Sequence, residues 1–129
     1  MLNAFCRREG DFRWGVAYHP YPQDLNNPRT WEDPDALFSM STPYVTFKNL
    51  EVLDRWSKQP ENLYKGTQKR SVWLSENGTN SRTYQQKDLE EQAAGFAYAW
   101  KKIKELDGID GIQWHNWIDN RQEEGLRIG

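Results

Sequence analysis

The sequence of 129 residues contains a single cysteine, Cys6, and no apolar run near the ~20 residues of a membrane-spanning helix. One cysteine cannot build a disulfide framework, so Cys6 does not indicate a redox compartment. An excess of positive charge is also missing: 17 Lys and Arg are balanced by 19 Asp and Glu, which argues against a nucleic-acid-binding surface. The first residues lack the apolar segment of a signal peptide.

Aliphatic side chains are scarce, whereas aromatic side chains are abundant. Hydrophobic residues make up 36% of the chain, compared with about 45–50% in average globular proteins on a count that includes glycine. Aromatic residues make up 14%, and seven of them are tryptophans. Large flat rings fill cores, and they also line ligand-binding clefts. The length predicts at most one domain.

Three short segments have the composition of β-strands. Residues 12–18 are rich in aromatic and β-branched side chains and stop before Pro20. Residues 71–75 end at a turn signal, and residues 112–118 alternate around two tryptophans. The segments are far enough apart in the chain for a helix between each pair.

Two helices are predicted between these strands. Residues 46–58 and 88–106 both place apolar side chains at helical spacing. Asp88 and Glu91 have the spacing of a capping box, which predicts a helix that starts at Asp88. Gly108 follows a run of lysines and predicts the end of this helix.

The alternation of strands and helices predicts an α/β fold, a βαβαβ unit with parallel strands and right-handed crossovers. Ligand chemistry in parallel sheets collects at the carboxyl ends of the strands. Three polar or aromatic segments occupy these positions, residues 19–21, 76–78 and 116–119. A candidate site is therefore expected where these segments meet.

The same three segments resemble a known family. The sequence Leu74-Ser75-Glu76-Asn77-Gly78 resembles the end of the seventh strand of the clan A glycoside hydrolases, which are (β/α)8 barrels with this glutamate as nucleophile. His19-Pro20-Tyr21 is similar to the His-x-Tyr after their sixth strand. Asn116-Trp117-Ile118-Asp119 resembles the Asn-Trp-x-x-Asp pattern of their eighth strand. Residues 14–22 and 111–117 also resemble an uncharacterised bacterial family related to these hydrolases.

The resemblance implies a partial TIM (β/α)8 barrel. Residues 1–129 would be its C-terminal part, with strands six to eight, the two helices between them and the end of helix five. A complete barrel has about 250 residues, and the acid/base glutamate that follows strand four in the clan has no counterpart before Phe12. We therefore expect a fragment that is inactive alone and self-associates through open sheet edges, and a parent protein that is secreted or periplasmic.

The resemblance also implies roles for individual residues. A retaining glycosidase needs a nucleophile and an acid/base carboxyl group, and Glu76 is the implied nucleophile. His19 or Tyr21 would donate a hydrogen bond to Glu76 or to a sugar, and a tryptophan would form the floor under the sugar ring. The implied substrate-binding residues are His19, Tyr21, Asn77, Trp114, Trp117 and Asp119. A carbohydrate is the expected partner, without nucleic acid, membrane, metal or cofactor.

Other interpretations remain open for these residues. Glu76 could be a solvated turn residue, and the protein could be a carbohydrate-binding or pseudo-enzyme barrel without chemistry, or a self-standing interaction module. An inverting mechanism would use Asp119 or Glu123 as its second carboxylate. A metal site formed by His115 and Asp119 is disfavoured, because their spacing does not converge on a strand.

The remaining tryptophans and the basic segment also carry expectations. Trp31 lies in a polar loop, residues 26–35, and could be either a loop anchor or a lid that stacks on substrate. Residues 65–70 form a basic cluster that predicts a surface loop. Four tryptophans are expected to be core residues that pack partly against barrel strands that this sequence does not contain: Trp14, Trp56, Trp73 and Trp100.

Overall fold

A computed structural model describes residues 1–120, 122 and 126–129. These residues form three helices and three strands, which follow one another alternately from the first helix, and three short 3-10 turns in the connections. The elements are α1 (Leu2–Glu9), β1 (Val16–Tyr18), α2 (Leu50–Ser57), β2 (Val72–Leu74), α3 (Gln86–Glu105) and β3 (Gly111–Ile112). The 3-10 turns are Thr30–Glu32, Phe47–Asn49 and Pro60–Asn62. Within the part of the chain that the structure describes, no helix is long and apolar enough to cross a membrane.

The strands form one parallel sheet in the order β1-β2-β3, with α2 and α3 in the two crossovers. The predicted α/β class and the parallel pairing are therefore confirmed. The register pairs Val16 with Val72, Ala17 with Trp73, Tyr18 with Leu74, Trp73 with Gly111 and Leu74 with Ile112. Because each strand has a side-chain period of two, this register decides which residues share a face.

All three strands are shorter than the sequence predicts, and β1 and β3 differ most. Residues 12–15 stay outside the sheet, and the Phe12 carbonyl accepts a hydrogen bond from the Arg70 side chain instead of from a neighbouring strand. β3 ends at Ile112 rather than at residue 118. Beyond it, the amide of His115 donates to the Asn77 carbonyl in the loop after β2, so the chain folds over the end of β2.

The helices begin slightly away from the predicted positions. Thr46 and Asn49 form a reciprocal capping box, and α2 follows the 3-10 turn that this box starts. α3 begins at Gln86, so the prediction of Asp88 as its N-cap is wrong. The Asp88 carboxylate accepts a hydrogen bond from Thr83, and Glu91 forms an ion pair with Arg82. Side chains of the loop before α3 thus bind these two carboxylates, which in a capping box would accept hydrogen bonds from backbone amides.

One face of the sheet carries the hydrophobic core. Val72 and Leu74 point toward the helices, and Trp56 packs against this core from α2, as predicted. The buried core residues are Phe47, Leu50, Leu53, Val72, Leu74, Ala99 and Ile109. The opposite face carries Ala17 and Trp73, both exposed, so the sheet is covered on one side by the described residues.

The other three predicted core tryptophans are only partly covered by the described residues. Trp73 and Trp100 are each 45% exposed, so neither belongs to the core of this chain. Trp73 alternates with two core residues and therefore faces the uncovered side of the sheet. Trp100 follows the buried Ala99 on the outer side of α3. Trp14 is half-buried and lies under the Arg70 guanidinium, 4.1 Å from its ring centre.

The two loop predictions have different outcomes. Trp31 packs against the ring of Tyr98 in α3, with ring centres 5.6 Å apart, which favours the loop anchor over the lid. Arg70 is buried, so it is not part of a surface loop. Its guanidinium donates to the carbonyls of Asn62 and Phe12, each at 3.0 Å, and to the Asp11 carboxylate at 2.6 Å.

Candidate active site

Three of the predicted site residues meet at the carboxyl ends of β1 and β2. The Tyr21 hydroxyl donates a hydrogen bond to Glu76 Oε1 at 3.1 Å. His19 Nδ1 lies 3.9 Å from the other carboxylate oxygen, Oε2. The side chains of His19 and Glu76 are each about half exposed, so the carboxylate is held from one side and open to a ligand from the other.

The parallel register explains why these residues are neighbours. Tyr18 pairs with Leu74, and the Ser75 amide continues the ladder by donating to the Tyr18 carbonyl at 3.1 Å. His19 and Glu76 therefore leave the sheet side by side. The Tyr18 hydroxyl donates to the Val45 carbonyl at 2.8 Å, and partial burial of the ring raises the pKa of Tyr18. The end of β1 is thereby anchored.

Asn77 is fully buried, and its side chain ties β2 to the segment after β3. Its Nδ2 donates to the carbonyls of Leu74 and Gln113, both at 3.0 Å. Its backbone carbonyl accepts from the His115 amide at 2.7 Å. The expected contact of Asn77 with a sugar hydroxyl is therefore corrected: with no exposed surface, the amide holds the loop that carries Glu76.

Gly78 gives this loop its close contact with the C-terminal segment. A Cβ atom at position 78 would lie 2.1 Å from Cγ2 of Ile128 and 2.3 Å from the His115 carbonyl oxygen. Such distances are far inside van der Waals contact, so only glycine fits. Ile128 is buried, and its side chain packs against the loop at Gly78.

The two predicted sugar-platform tryptophans lie on the α3 side. The Trp114 ring meets Phe96 edge to face, with centres 4.5 Å apart, and its Nε1 donates to the Ile128 carbonyl at 3.1 Å. Trp117 is 90% exposed. Both rings line a groove of about 400 Å³ beside α3 together with Leu89. Trp114 therefore contributes to packing, and Trp117 has a free ring face.

Asp119 fastens the loop after β3. Its Oδ2 accepts a hydrogen bond from the Tyr84 hydroxyl at 2.7 Å, and its Oδ1 accepts from the Gly129 amide at 2.9 Å. The contact with the carboxylate raises the pKa of Tyr84. Glu123, the other carboxylate considered for an inverting mechanism, lies outside the described residues. Among the described residues, no group of three His, Cys, Asp or Glu could hold a metal ion.

Two polar residues near Glu76 were missed by the sequence interpretation. On the uncovered face of the sheet, Ala17, Trp73 and Gly111 lie side by side in one row. The residues two positions later along the chain form a second row on the same face. Its members are His19, Ser75 and Gln113. Ser75 could be found from its alternation with Trp73, whereas Gln113 needed the register of β3, which the sequence pattern does not define.

Comparison with known proteins places the chain in one family. A family model described as "Family of unknown function (DUF5722)" matches residues 1–129. No curated protein and no solved structure matches the chain.

Proposed function

We propose that this chain, which belongs to the DUF5722 family of unknown function, is the C-terminal part of a retaining glycoside hydrolase with Glu76 as the nucleophile. The observation that carries the proposal is the hydrogen bond between Tyr21 and Glu76 at the end of the middle parallel strand. A carboxylate in this position is open to substrate, and a neighbouring donor restricts its orientation.

The architecture supports a barrel as the parent fold. The three strands are parallel and adjacent in chain order, and both connecting helices pack on the same face of the sheet. In a (β/α)8 barrel the helices lie outside and the opposite face looks into the barrel. The exposed Trp73 is on that face, where the remaining strands would cover it. We propose that the isolated chain instead self-associates through the edges of β1 and β3.

The proposed reaction has two steps. One oxygen of Glu76 forms a bond to the anomeric carbon, and the bond from this carbon to the glycosidic oxygen breaks. An acid group gives its proton to the departing oxygen. In the second step water, deprotonated by the same group, attacks the anomeric carbon and releases Glu76. Tyr21 holds the carboxylate toward the sugar throughout.

The proposal requires a second carboxyl group about 5–5.5 Å from Glu76. In the clan that the sequence resembles, this group follows the fourth strand, and we propose that a longer protein supplies that part of the barrel. We assign the acid/base role to a residue there, so turnover is a property of the longer protein. Glu76, Tyr21 and His19 are the contribution of this chain.

Trapping of the covalent intermediate tests the proposal. The longer protein is incubated with a panel of 2-deoxy-2-fluoroglycosyl fluorides, and its peptides are analysed by mass spectrometry. We expect one sugar adduct, on the peptide that contains Glu76. Glu76→Gln should abolish both the adduct and turnover, whereas Glu61→Gln, at an exposed carboxylate in a 3-10 turn, should change neither.

The outcomes separate the alternatives. An adduct on another residue, or full turnover by Glu76→Gln, would remove Glu76 from the nucleophile role. Saturable sugar binding without turnover and without any adduct would favour a carbohydrate-binding or pseudo-enzyme barrel.

A further inference from the structure

The uncovered face of the sheet presents its side chains in ordered rows. The register places Ala17, Trp73 and Gly111 in one row, and two residues further along the strands the next row contains His19 and Gln113. This second row is nearest to the strand ends, where His19 approaches Glu76. Any group that reaches Glu76 from the open side therefore passes next to this row.

Gln113 is held in place by its backbone, while its side chain is exposed. Its amide donates to the Leu74 carbonyl at 2.9 Å, and its carbonyl accepts from the buried Asn77 side chain at 3.0 Å. Asn77 is the residue directly after Glu76, so Gln113 and Glu76 are linked through one rigid contact. Within the described part of the chain, the Gln113 carboxamide forms no intramolecular hydrogen bond. It offers two donors and one acceptor to a ligand.

The cavity next to this carboxamide is lined by uncharged and partly aromatic residues. The residues that line the open cavity of about 470 Å³ are Gly15, Val16, Ala17, Ser71, Trp73, Ser75 and Gln113. The Trp73 ring extends over Gly111, two positions before Gln113, and closes the space below the second row. Since no described Lys or Arg lines it, the cavity lacks the usual partner of a carboxylate or phosphate.

We propose that the Gln113 carboxamide is a specificity-determining group, which hydrogen-bonds one hydroxyl of an uncharged sugar held at Glu76. The inference rests on the proposed function and assigns part of its substrate recognition. A sugar held at Glu76 lies at the strand ends, where its hydroxyls face the second row with Gln113 and His19. An uncharged carboxamide with donors and an acceptor is suited to the hydroxyls of neutral sugars.

A double-mutant cycle on binding tests the inference without requiring turnover. Glu76→Gln in the longer protein is titrated by calorimetry with methyl glycosides of gluco, galacto, manno and xylo configuration, with the monodeoxy analogues of the tightest one, and with methyl glucuronide. Each titration is repeated after adding Gln113→Ala. We expect the second substitution to weaken binding of the intact glycoside about 5- to 10-fold, the effect of about one hydrogen bond.

The decisive result is whether the loss of affinity caused by Gln113→Ala depends on one particular hydroxyl of the sugar. One deoxy analogue should bind equally well with and without Gln113→Ala, whereas the others should lose the same factor as the intact glycoside. A uniform loss across all analogues, no loss at all, tighter binding of the glucuronide, or no binding of any of these sugars would overturn the inference. Gln68→Ala, at an exposed amide before β2, is the matched control and should leave every affinity unchanged.

The two tests fail independently. An adduct on Glu76, together with an equal loss of affinity for every deoxy analogue in Gln113→Ala, would support Glu76 as the nucleophile and exclude Gln113 from sugar recognition. If the effect of Gln113→Ala depends on one sugar hydroxyl but no adduct forms, Gln113 is a binding residue and Glu76 is not the nucleophile.

Discussion

The ring of Trp73 lies directly over Gly111, its partner in the neighbouring strand. A Cβ atom at position 111 would approach Cζ3 of this ring to 2.4 Å. Since the two residues are paired in the β2–β3 register, the missing side chain at 111 is what allows the ring to lie across β3. The pair thereby shapes the uncovered face of the sheet.

Gly111→Ala should lower the free energy of unfolding by about 1–3 kcal/mol, because the added methyl group overlaps the ring and one of them must move. Urea unfolding followed by tryptophan fluorescence measures the change. In a Trp73→Ala background the same substitution should have little effect, because the obstructing ring is gone. An equal loss in both backgrounds would show that the ring is not the cause.

Tyr21→Phe should reduce the rate at which a fluoroglycoside labels Glu76 by about tenfold, the effect of about 1.4 kcal/mol on the barrier. The hydroxyl at 3.1 Å is a donor to the carboxylate, and its removal leaves the side chain freer to rotate. The second-order rate constant of labelling measures this effect. Tyr44→Phe, at an exposed tyrosine, should label at the unmodified rate. An unchanged rate in Tyr21→Phe would mean that the hydrogen bond does not orient Glu76.

Asn77→Ala should destabilise the fold by about 2–4 kcal/mol, because the carbonyls of Leu74 and Gln113 both lose a donor. Denaturant unfolding measures the loss, and Gln68→Ala is the control with an exposed amide. Where Asn77→Ala remains folded, labelling of Glu76 should also slow. A stable variant with normal labelling would contradict the holding role of Asn77.

Asp11 should contribute to stability in a defined pH range. The Lys65 amide, followed by the Arg70 guanidinium, lowers the pKa of Asp11 from its ordinary 3.8 to about 2. Since the folded-state pKa is below the unfolded value, the ionised carboxylate stabilises the fold above about pH 4, and this contribution is lost as the pH falls to about 2.

Asp11→Asn tests this linkage. Thermal melts at pH 2, 3, 4 and 6 should show the largest difference from the unmodified protein at pH 6, and the difference should shrink between pH 4 and pH 2. Asp24→Asn, at an exposed carboxylate, should show no such convergence. A difference that stays constant with pH would indicate that the charge of Asp11 is not involved.

Local patterns were sufficient for the α/β class and for the neighbourhood of Glu76. The spacing of apolar side chains located α2 and α3 to within a few residues, and the carboxyl-end rule for parallel strands brought His19, Tyr21 and Glu76 to one place. Strand lengths were overestimated, because hydrogen-bonding partners outside the sheet compete for the same backbone. The carbonyl of Phe12 is an example, since Arg70 takes it.

The roles of Asn77, Trp114 and Gln113 could not be predicted in the same way. An asparagine after a strand is expected to be polar and exposed, but here its amide donates to two backbone carbonyls, one in β2 and one directly after β3. Trp114 follows β3, and its ring contacts Phe96 because α3 packs next to this segment in the folded chain. The place of Gln113 depends on the register between β2 and β3.

The sequence by itself determined the order of the elements, the parallel pairing and the neighbourhood of His19, Tyr21 and Glu76, because these depend on short-range periodicity and on one general rule of parallel sheets. The tertiary structure decided which rings are buried and which amides are free. Burial and hydrogen bonding of a side chain are set by partners distant in the chain. The scarce aliphatic residues accordingly form a core on one face only, and Trp73 remains exposed on the other.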